Sequence, residues 1–88
     1  MRVKVQKVGE ALHPSEVVVQ VRTSTGPENL VVDKRSLGDD STLSVGSPLG
    51  RKDDLWLVEL PRETMRGGWR VWVKRSALVY ETGEARVA

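Results

Sequence analysis

Residues 55–79 read LWLVELPRETMRGGWRVWVKRSALV, and this stretch decides the fold. Two apolar runs, 55–60 and 69–74, flank a loop that ends in a Gly-Gly pair, and glycine supplies the backbone freedom that a tight reversal needs. β-branched and aromatic residues dominate both runs, which favours strands over helices. The stretch therefore predicts a β-hairpin that is followed by a last short strand at 78–80.

The rest of the chain has the same character. Residues 2–8 alternate in the manner of a half-buried strand, and the valine-rich segment 16–23 pairs with 30–33 across a turn. No segment carries helical periodicity over three turns. We predict an all-β fold, namely a small antiparallel barrel of five to seven strands. It comprises residues 1–80 as one domain, with 81–88 as a mobile polar tail.

Composition excludes several classes of protein. The chain has 88 residues and no cysteine, which fits one small domain and rules out disulfides and thiolate metal sites. The net charge of +2, from 14 basic and 12 acidic residues, says little about partners by itself. The first residues, MRVKVQKV, lack the apolar core of a signal peptide, and no run reaches membrane-spanning length. We expect a cytoplasmic protein with no membrane partner.

Two segments of the chain are similar to each other. Residues 31–37 read VVDKRSL and residues 71–78 read VWVKRSAL, so that Lys-Arg-Ser recurs after 40 positions. Each copy follows a strand and precedes a leucine. This context predicts that both hairpins finish in the same corner, with the serine hydroxyl capping a short helical turn. Two related hairpin units are one interpretation, and a chance match is the other.

Residues 43–79 resemble the C-terminal part of an SH3 domain, especially the divergent SH3-like domains of bacteria. In that family a short Leu-Ser-Val strand and a glycine turn precede a Trp-containing strand and a hairpin. A segment that ends in Ser and an aliphatic residue then follows. Leu43-Ser44-Val45-Gly46, Leu55-Trp56-Leu57-Val58 and the segment from Trp72 to Leu78 correspond to these elements. The resemblance implies a small barrel that acts as a binding module.

The same resemblance argues against binding of proline-rich peptides. Lys74 stands where the family has proline, and Ala77 stands where it has tyrosine. Those two residue types build the aromatic groove that holds a polyproline helix. A barrel is therefore expected without that ligand class.

Alternation along 69–74 predicts which side chains face outward. Trp69, Val71 and Val73 share one face of this strand, while the side chains between them share the other. We predict that Trp69 enters the core. Trp72 then lies outside among cations, either as a ring that covers the barrel surface or as part of a contact surface.

The contact surface predicted from the sequence combines aromatic and basic residues. Segment 62–75 contains five basic residues against Glu63 alone, a local balance of +4. A protein partner or a second copy of the chain is the first interpretation, and single-stranded nucleic acid bound by the basic hairpin is the alternative. A structural component of a symmetric assembly is a third possibility. The predicted partner-binding residues are Trp56, Arg62, Arg66, Arg70, Trp72, Lys74 and Arg75.

We expect neither an enzyme nor a cofactor or a small-molecule substrate. The single histidine, His13, lies in a predicted loop, and no serine has an evident base as its partner. The acidic pairs 39–40 and 53–54 lack the ligand spacing of a calcium loop and are interpreted as solvated charges. Glu59 is predicted to pair with Arg70 or Arg22 across the sheet.

Overall fold

The computed structural model describes residues 1–79, and these residues form strands and two single-turn 3₁₀ helices. Tyr80 and the predicted tail at 81–88 lie outside the described residues. In chain order the elements are β1 (Arg2–Lys4), β2 (Gln6–Glu10), β3 (Glu16–Thr23), β4 (Gly26–Asp33), a first 3₁₀ helix (Lys34–Ser36), β5 (Thr42–Ser44), β6 (Gly50–Lys52), β7 (Leu55–Glu59), β8 (Arg70–Lys74), a second 3₁₀ helix (Arg75–Ala77) and β9 (Leu78–Val79).

The strands form three antiparallel sheets of three strands each, in the orders β5-β1-β9, β2-β3-β4 and β6-β7-β8. The all-β antiparallel prediction is confirmed. Across residues 1–79, however, there are nine strands instead of five to seven, and the sheets do not join into one closed barrel. The predicted strand at 2–8 is divided at Val5 into β1 and β2, which belong to different sheets. Such short strands let the chain turn from one sheet into the next.

Twelve apolar side chains form a single core between the sheets, and nine of them are valines. β3 contributes Val17, Val19 and Val21, each at most 2% exposed, while the alternate positions of this strand face outward. Because valine loses little freedom in a strand and packs well on a pleated surface, this composition stabilises sheets that pack face to face. Within residues 1–79, no helix is long and apolar enough to span a membrane.

Two sheets repeat one design. In each, a three-stranded meander ends in a 3₁₀ helix and then in a leucine that packs on the core, Leu37 in the first unit and Leu78 in the second. The last strands end at Asp33 and Lys74, which are 41 positions apart, as are the two leucines. At the same spacing the buried Val32 of β4 corresponds to the buried Val73 of β8.

The third sheet joins the beginnings and ends of the two units. Val3 of β1 pairs directly with Leu43 of β5, and the two strands are antiparallel. Leu78 pairs with Val3, and Leu37 forms the matching bridge with Leu43. Leu78 therefore lies beside β1 and Leu37 beside β5, and the two units have a similar design.

The corners confirm the predicted strand-to-turn ending but not the predicted cap. A spacing of 41 places the first Lys-Arg-Ser one residue out of step with the second, so the two serines are not structurally equivalent. Asp33, not a serine, caps the first 3₁₀ helix, since its carboxylate accepts a hydrogen bond of 2.8 Å from the backbone N–H of Arg35. Lys74 holds the corresponding position in the second corner, where no side chain caps the helix.

Candidate partner-binding surface

Trp72 lies on the outward face of the sheet β6-β7-β8, as predicted. It pairs across the ladder with Leu57, which in turn pairs with Gly50. A Cβ atom placed on Gly50 would lie 3.7 Å from Cη2 of Trp72, so the indole extends across β7 and reaches β6. The ring is half-buried, and its exposed side is available for contact. We call the surface of Trp72, Leu57 and Gly50 the Trp72 face.

Trp56 lies on the other face of the same sheet. Its ladder partners are Val73 and Arg51, and the neighbouring residues on its face, Val58 and Val73, are buried. The indole is half-buried at the end of the sheet, with the Arg51 guanidinium carbon 5.4 Å from the ring centroid. That distance is a cation–π contact. The structure therefore does not bring Trp56 and Trp72 together on one surface.

The prediction that Trp69 enters the core is wrong. Its side chain is 49% exposed, whereas Val71 and Val73 are buried as the alternation predicts. β8 begins one residue later, at Arg70, where the ladder with β7 ends at Glu59. Beyond the ladder the alternation no longer determines the direction of the side chain. The indole N–H instead donates a hydrogen bond of 2.9 Å to the Glu63 carboxylate.

The loop between β7 and β8 is held in a fixed shape by its own backbone. Thr64, which is 4% exposed, anchors it: its N–H donates to the carbonyl of Gly68, and its hydroxyl accepts from the N–H of Gly68. Gly67 has a φ of +96°, a conformation that glycine adopts without a steric penalty. The Met65 N–H donates to the Asn29 carbonyl, which ties the loop to β4.

Three of the four arginines in segment 62–75 are paired with carboxylates. Glu28 is the most buried acceptor, with 11% of its side chain exposed, and it holds Arg66 at 3.7 Å. Much of the local charge of +4 is thus compensated by residues from other strands. Glu59 pairs with Arg70, its ladder partner, which confirms one of the two predicted pairs. The three N–O distances are 3.4 Å for Arg62–Glu16, 3.7 Å for Arg66–Glu28 and 3.2 Å for Arg70–Glu59.

Lys74 and Arg75, the other two predicted cations, are exposed at the second corner. Within residues 1–79 neither side chain has an ion-pair partner, and the Arg75 backbone N–H donates to the carbonyl of Asp54. They therefore lie apart from the paired arginines. The predicted site divides into a charge-balanced part near Trp72 and a cationic part at Lys74.

A groove of about 280 Å³ runs beside Trp72, between the β3–β4 turn and the β7–β8 loop. Thr23, Ser24 and Thr25 line it, and so does the Arg66–Glu28 pair. The Ser24 N–H donates a hydrogen bond of 2.9 Å to the Trp72 carbonyl, which fixes the turn against β8. The groove offers donors, acceptors and an aromatic edge with no strong excess of either charge.

Sequence reasoning missed several of these neighbours. Glu16 and Glu28 neutralise hairpin arginines from 46 and 38 positions away, respectively, and no local pattern marks them. Gly50 lies under the indole because of the β6–β7 register. For Leu57 the sequence contains one usable signal, the apolar run 55–60. Alternation along this run places Leu57 and Trp56 on different faces of the strand.

Two further polar clusters lie away from the Trp72 face. Ser15 does have a base nearby, contrary to expectation: its Oγ is 2.6 Å from Nδ1 of His13, two residues earlier. Both residues are exposed in the β2–β3 loop, where such a contact shapes a turn. Hydrogen bonds from Arg35 hold the pKa of the Asp33 carboxyl below its ordinary value, and Lys7 does the same to the pKa of Glu10.

Comparison with protein-family models, with curated proteins and with solved structures finds no match for this chain. In the described part of the chain, no group of three or more His, Cys, Asp or Glu residues is placed to hold a metal ion. The surface offers an aromatic ring, hydroxyl groups and neutralised charge pairs, which are the groups found in protein interfaces.

Proposed function

We propose that this chain is a non-catalytic binding module that contacts a protein partner, or a second copy of itself, through the Trp72 face and the adjoining groove. The observation that carries the proposal is a half-buried tryptophan on an outward sheet face, beside a groove closed by a neutralised charge pair. Tryptophan and arginine are enriched at the energetic centres of protein interfaces, and such centres are depleted of uncompensated charge.

The SH3-like character of residues 43–79 belongs to the same proposal. In this part of the chain the elements are β5, β6, the Trp-containing β7, β8, the second 3₁₀ helix and β9, so the resemblance is supported by the short first strand, the Trp-containing strand and its hairpin, and the short last strand. In this proposal the binding face is the outward side of β6-β7-β8, because Lys74 and Ala77 replace the residues of a proline-peptide groove.

Ion pairing weighs against the alternative in which the 62–75 hairpin binds nucleic acid. Arg62, Arg66 and Arg70 each have a carboxylate within 4 Å, so an entering phosphate would have to compete with it. Phosphate contacts by free cations supply most of the non-specific affinity for nucleic acid. A balanced aromatic surface is better suited to a protein.

The first experiment tests self-association. Sedimentation velocity of the wild type from 10 μM to 1 mM will separate a second copy from a different partner. Concentration-dependent sedimentation that Trp72→Ala abolishes supports self-contact through this face. A monomer throughout directs the search to another protein.

The second experiment compares two tryptophan variants. A protein that the wild type captures from the source cell is purified and titrated against Trp72→Ala and Trp69→Ala. We expect a loss of at least tenfold in affinity for Trp72→Ala, as for a central interface aromatic residue, and less than twofold for Trp69→Ala. Equal binding by all three proteins would refute the proposal. Circular dichroism confirms that each variant is folded.

A further inference from the structure

A second groove is lined by residues of β1, β2, β3 and β8 and of the second 3₁₀ helix. Its volume is about 350 Å³, within the range of small-ligand sites. β1, β3 and β8 each contribute one basic residue, namely Lys4, Arg22 and Lys74. The remaining polar residues that line it are Gln6, Gln20 and Ser76, and no carboxylate lines it. We call this feature the basic groove.

The three cations of the basic groove are exposed, and none has an ion-pair partner among residues 1–79. Arg2, Arg51, Lys52 and Arg75 likewise have no carboxylate within 4 Å in this part of the chain, but none of them lines the basic groove. Six other basic side chains each have a carboxylate within 4 Å: Lys7, Lys34, Arg35, Arg62, Arg66 and Arg70. Converging cations without a counter-charge repel one another, and a bound anion would remove that cost.

The fold itself does not require a cation at this place. Lys74 ends β8 as Asp33 ends β4, at equivalent corners of the two units. The first corner therefore forms around a carboxylate, which caps its 3₁₀ helix and pairs with Arg35. Since the scaffold accepts either charge, the positive charge of Lys74 is better explained by a ligand than by folding.

We propose that the basic groove binds phosphate groups, with the phosphodiester backbone of single-stranded nucleic acid as the larger ligand. Arg22 would form two parallel hydrogen bonds to one phosphate, and the two lysines would add point charges. The side-chain amide of Gln20 already donates one hydrogen bond of 3.1 Å to Asn29, which leaves its second N–H for the ligand. Ser76 adds a hydroxyl donor at the rim.

Two probes test the source of the phosphate, inorganic phosphate and a dodecamer of deoxythymidine. Backbone amide shifts are followed by NMR at 50 mM NaCl. We expect both probes to move the amides of Lys4, Arg22 and Ser76. Shifts with phosphate alone would assign the groove to a free phosphate-bearing molecule, and shifts with the oligonucleotide to a nucleic acid. No shift at these positions with either probe would refute the proposal.

The salt dependence of oligonucleotide affinity measures how many cations contact phosphate groups. Three phosphate contacts predict a slope of about −2 for the logarithm of affinity against the logarithm of salt, at roughly 0.7 per contact on a single strand. Affinity for the oligonucleotide should then fall about twentyfold between 50 and 200 mM NaCl. Arg22→Gln combined with Lys74→Gln should reduce the slope to about −0.7. An unchanged slope in this double variant would contradict the assignment.

A matched pair of lysine variants distinguishes binding in the groove from attraction of the oligonucleotide to the overall positive charge of the protein. Lys74 and Lys52 are both exposed, and only Lys74 lines the groove. Lys74→Glu should weaken oligonucleotide binding about tenfold at 50 mM NaCl, and Lys52→Glu less than twofold. Equal losses would assign the binding to overall charge and overturn the proposal. The outcome does not depend on the Trp72 face, because Trp72→Ala leaves the three cations in place.

Discussion

Replacing Gly50 by alanine should stabilise the protein and, at the same time, test the position of the Trp72 indole. The new Cβ atom would lie 3.7 Å from the ring of Trp72 and 3.9 Å from Cβ of Leu57, both ordinary van der Waals contacts. A methyl group on this half-covered face contributes about 0.4 kcal/mol, half the value of a fully buried CH₂. The smaller entropy of the unfolded chain adds about 0.6 kcal/mol.

We therefore expect Gly50→Ala to raise the free energy of unfolding by about 1 kcal/mol. In a domain of this size the gain corresponds to an increase in Tm of about 4–8 °C. Urea unfolding followed by far-UV circular dichroism measures it, with an unchanged slope as the sign of two-state behaviour. In a Trp72→Ala background the gain should be smaller, because the contact with the ring is lost while the contact with Leu57 and the entropic part remain. Destabilisation by Gly50→Ala, or an equal gain in both backgrounds, would refute the proposed packing of the indole over β6.

Three other substitutions test separate features of the fold. Gly26→Ala should lower the free energy of unfolding by about 1–2 kcal/mol, because the φ of +118° is unfavourable for a residue with a Cβ atom. The space around the new Cβ atom is open, with no atom within 4 Å, so the backbone alone causes the loss. A change smaller than about 0.3 kcal/mol in either direction would contradict this reasoning. Thr64→Val should cost about 1–2 kcal/mol in urea unfolding, because the N–H of Gly68 loses its acceptor. The pKa of Asp33 is held below its ordinary value of 3.8 by hydrogen bonds from Arg35, so its contribution to stability is present above that value and lost as the pH falls through the lowered pKa. The wild type should therefore lose its advantage over Asp33→Ala on acidification below about pH 4, and a constant difference from pH 7 to pH 2 would contradict the assignment.

Local pattern was enough to predict much of the fold. The alternation in β3 predicted that Val17, Val19 and Val21 share one face, and all three are buried in the core. Such a prediction needs only the rule that successive side chains of a strand point to opposite faces. The same rule buried Val71 and Val73 and turned Trp72 outward. Each of these residues lies inside a ladder, where the neighbouring strand fixes the direction of the side chain.

The sequence-based predictions fail at residues beyond the end of a strand ladder and at contacts between residues that are distant in the sequence. Trp69 lies one residue before β8 and beyond the last ladder pair, and the single hydrogen bond from the Leu60 N–H to its carbonyl does not fix the direction of its side chain. Glu28 neutralises Arg66 only because the β7–β8 loop folds over β4, a contact that depends on the tertiary structure. A local count of charge therefore overstated the positive potential of the hairpin. A local count also leaves out Arg22, which is distant from Lys74 in the sequence but lines the same groove.

The two units of similar design allow a comparison of equivalent positions within one chain. At the spacing of 41 that relates the two corners, Trp72 of β8 corresponds to Val31 of β4, and Lys74 to Asp33. The inward residues keep their apolar character, since Val32 and Val73 are both buried, so the requirements of the core are met in the same way twice. The outward residues differ in size and in charge at positions where one scaffold tolerates both. Because the equivalent positions of β4 hold a valine and an aspartate, this scaffold forms without a tryptophan or a lysine there, and the two proposed binding sites rest on these two residues of β8.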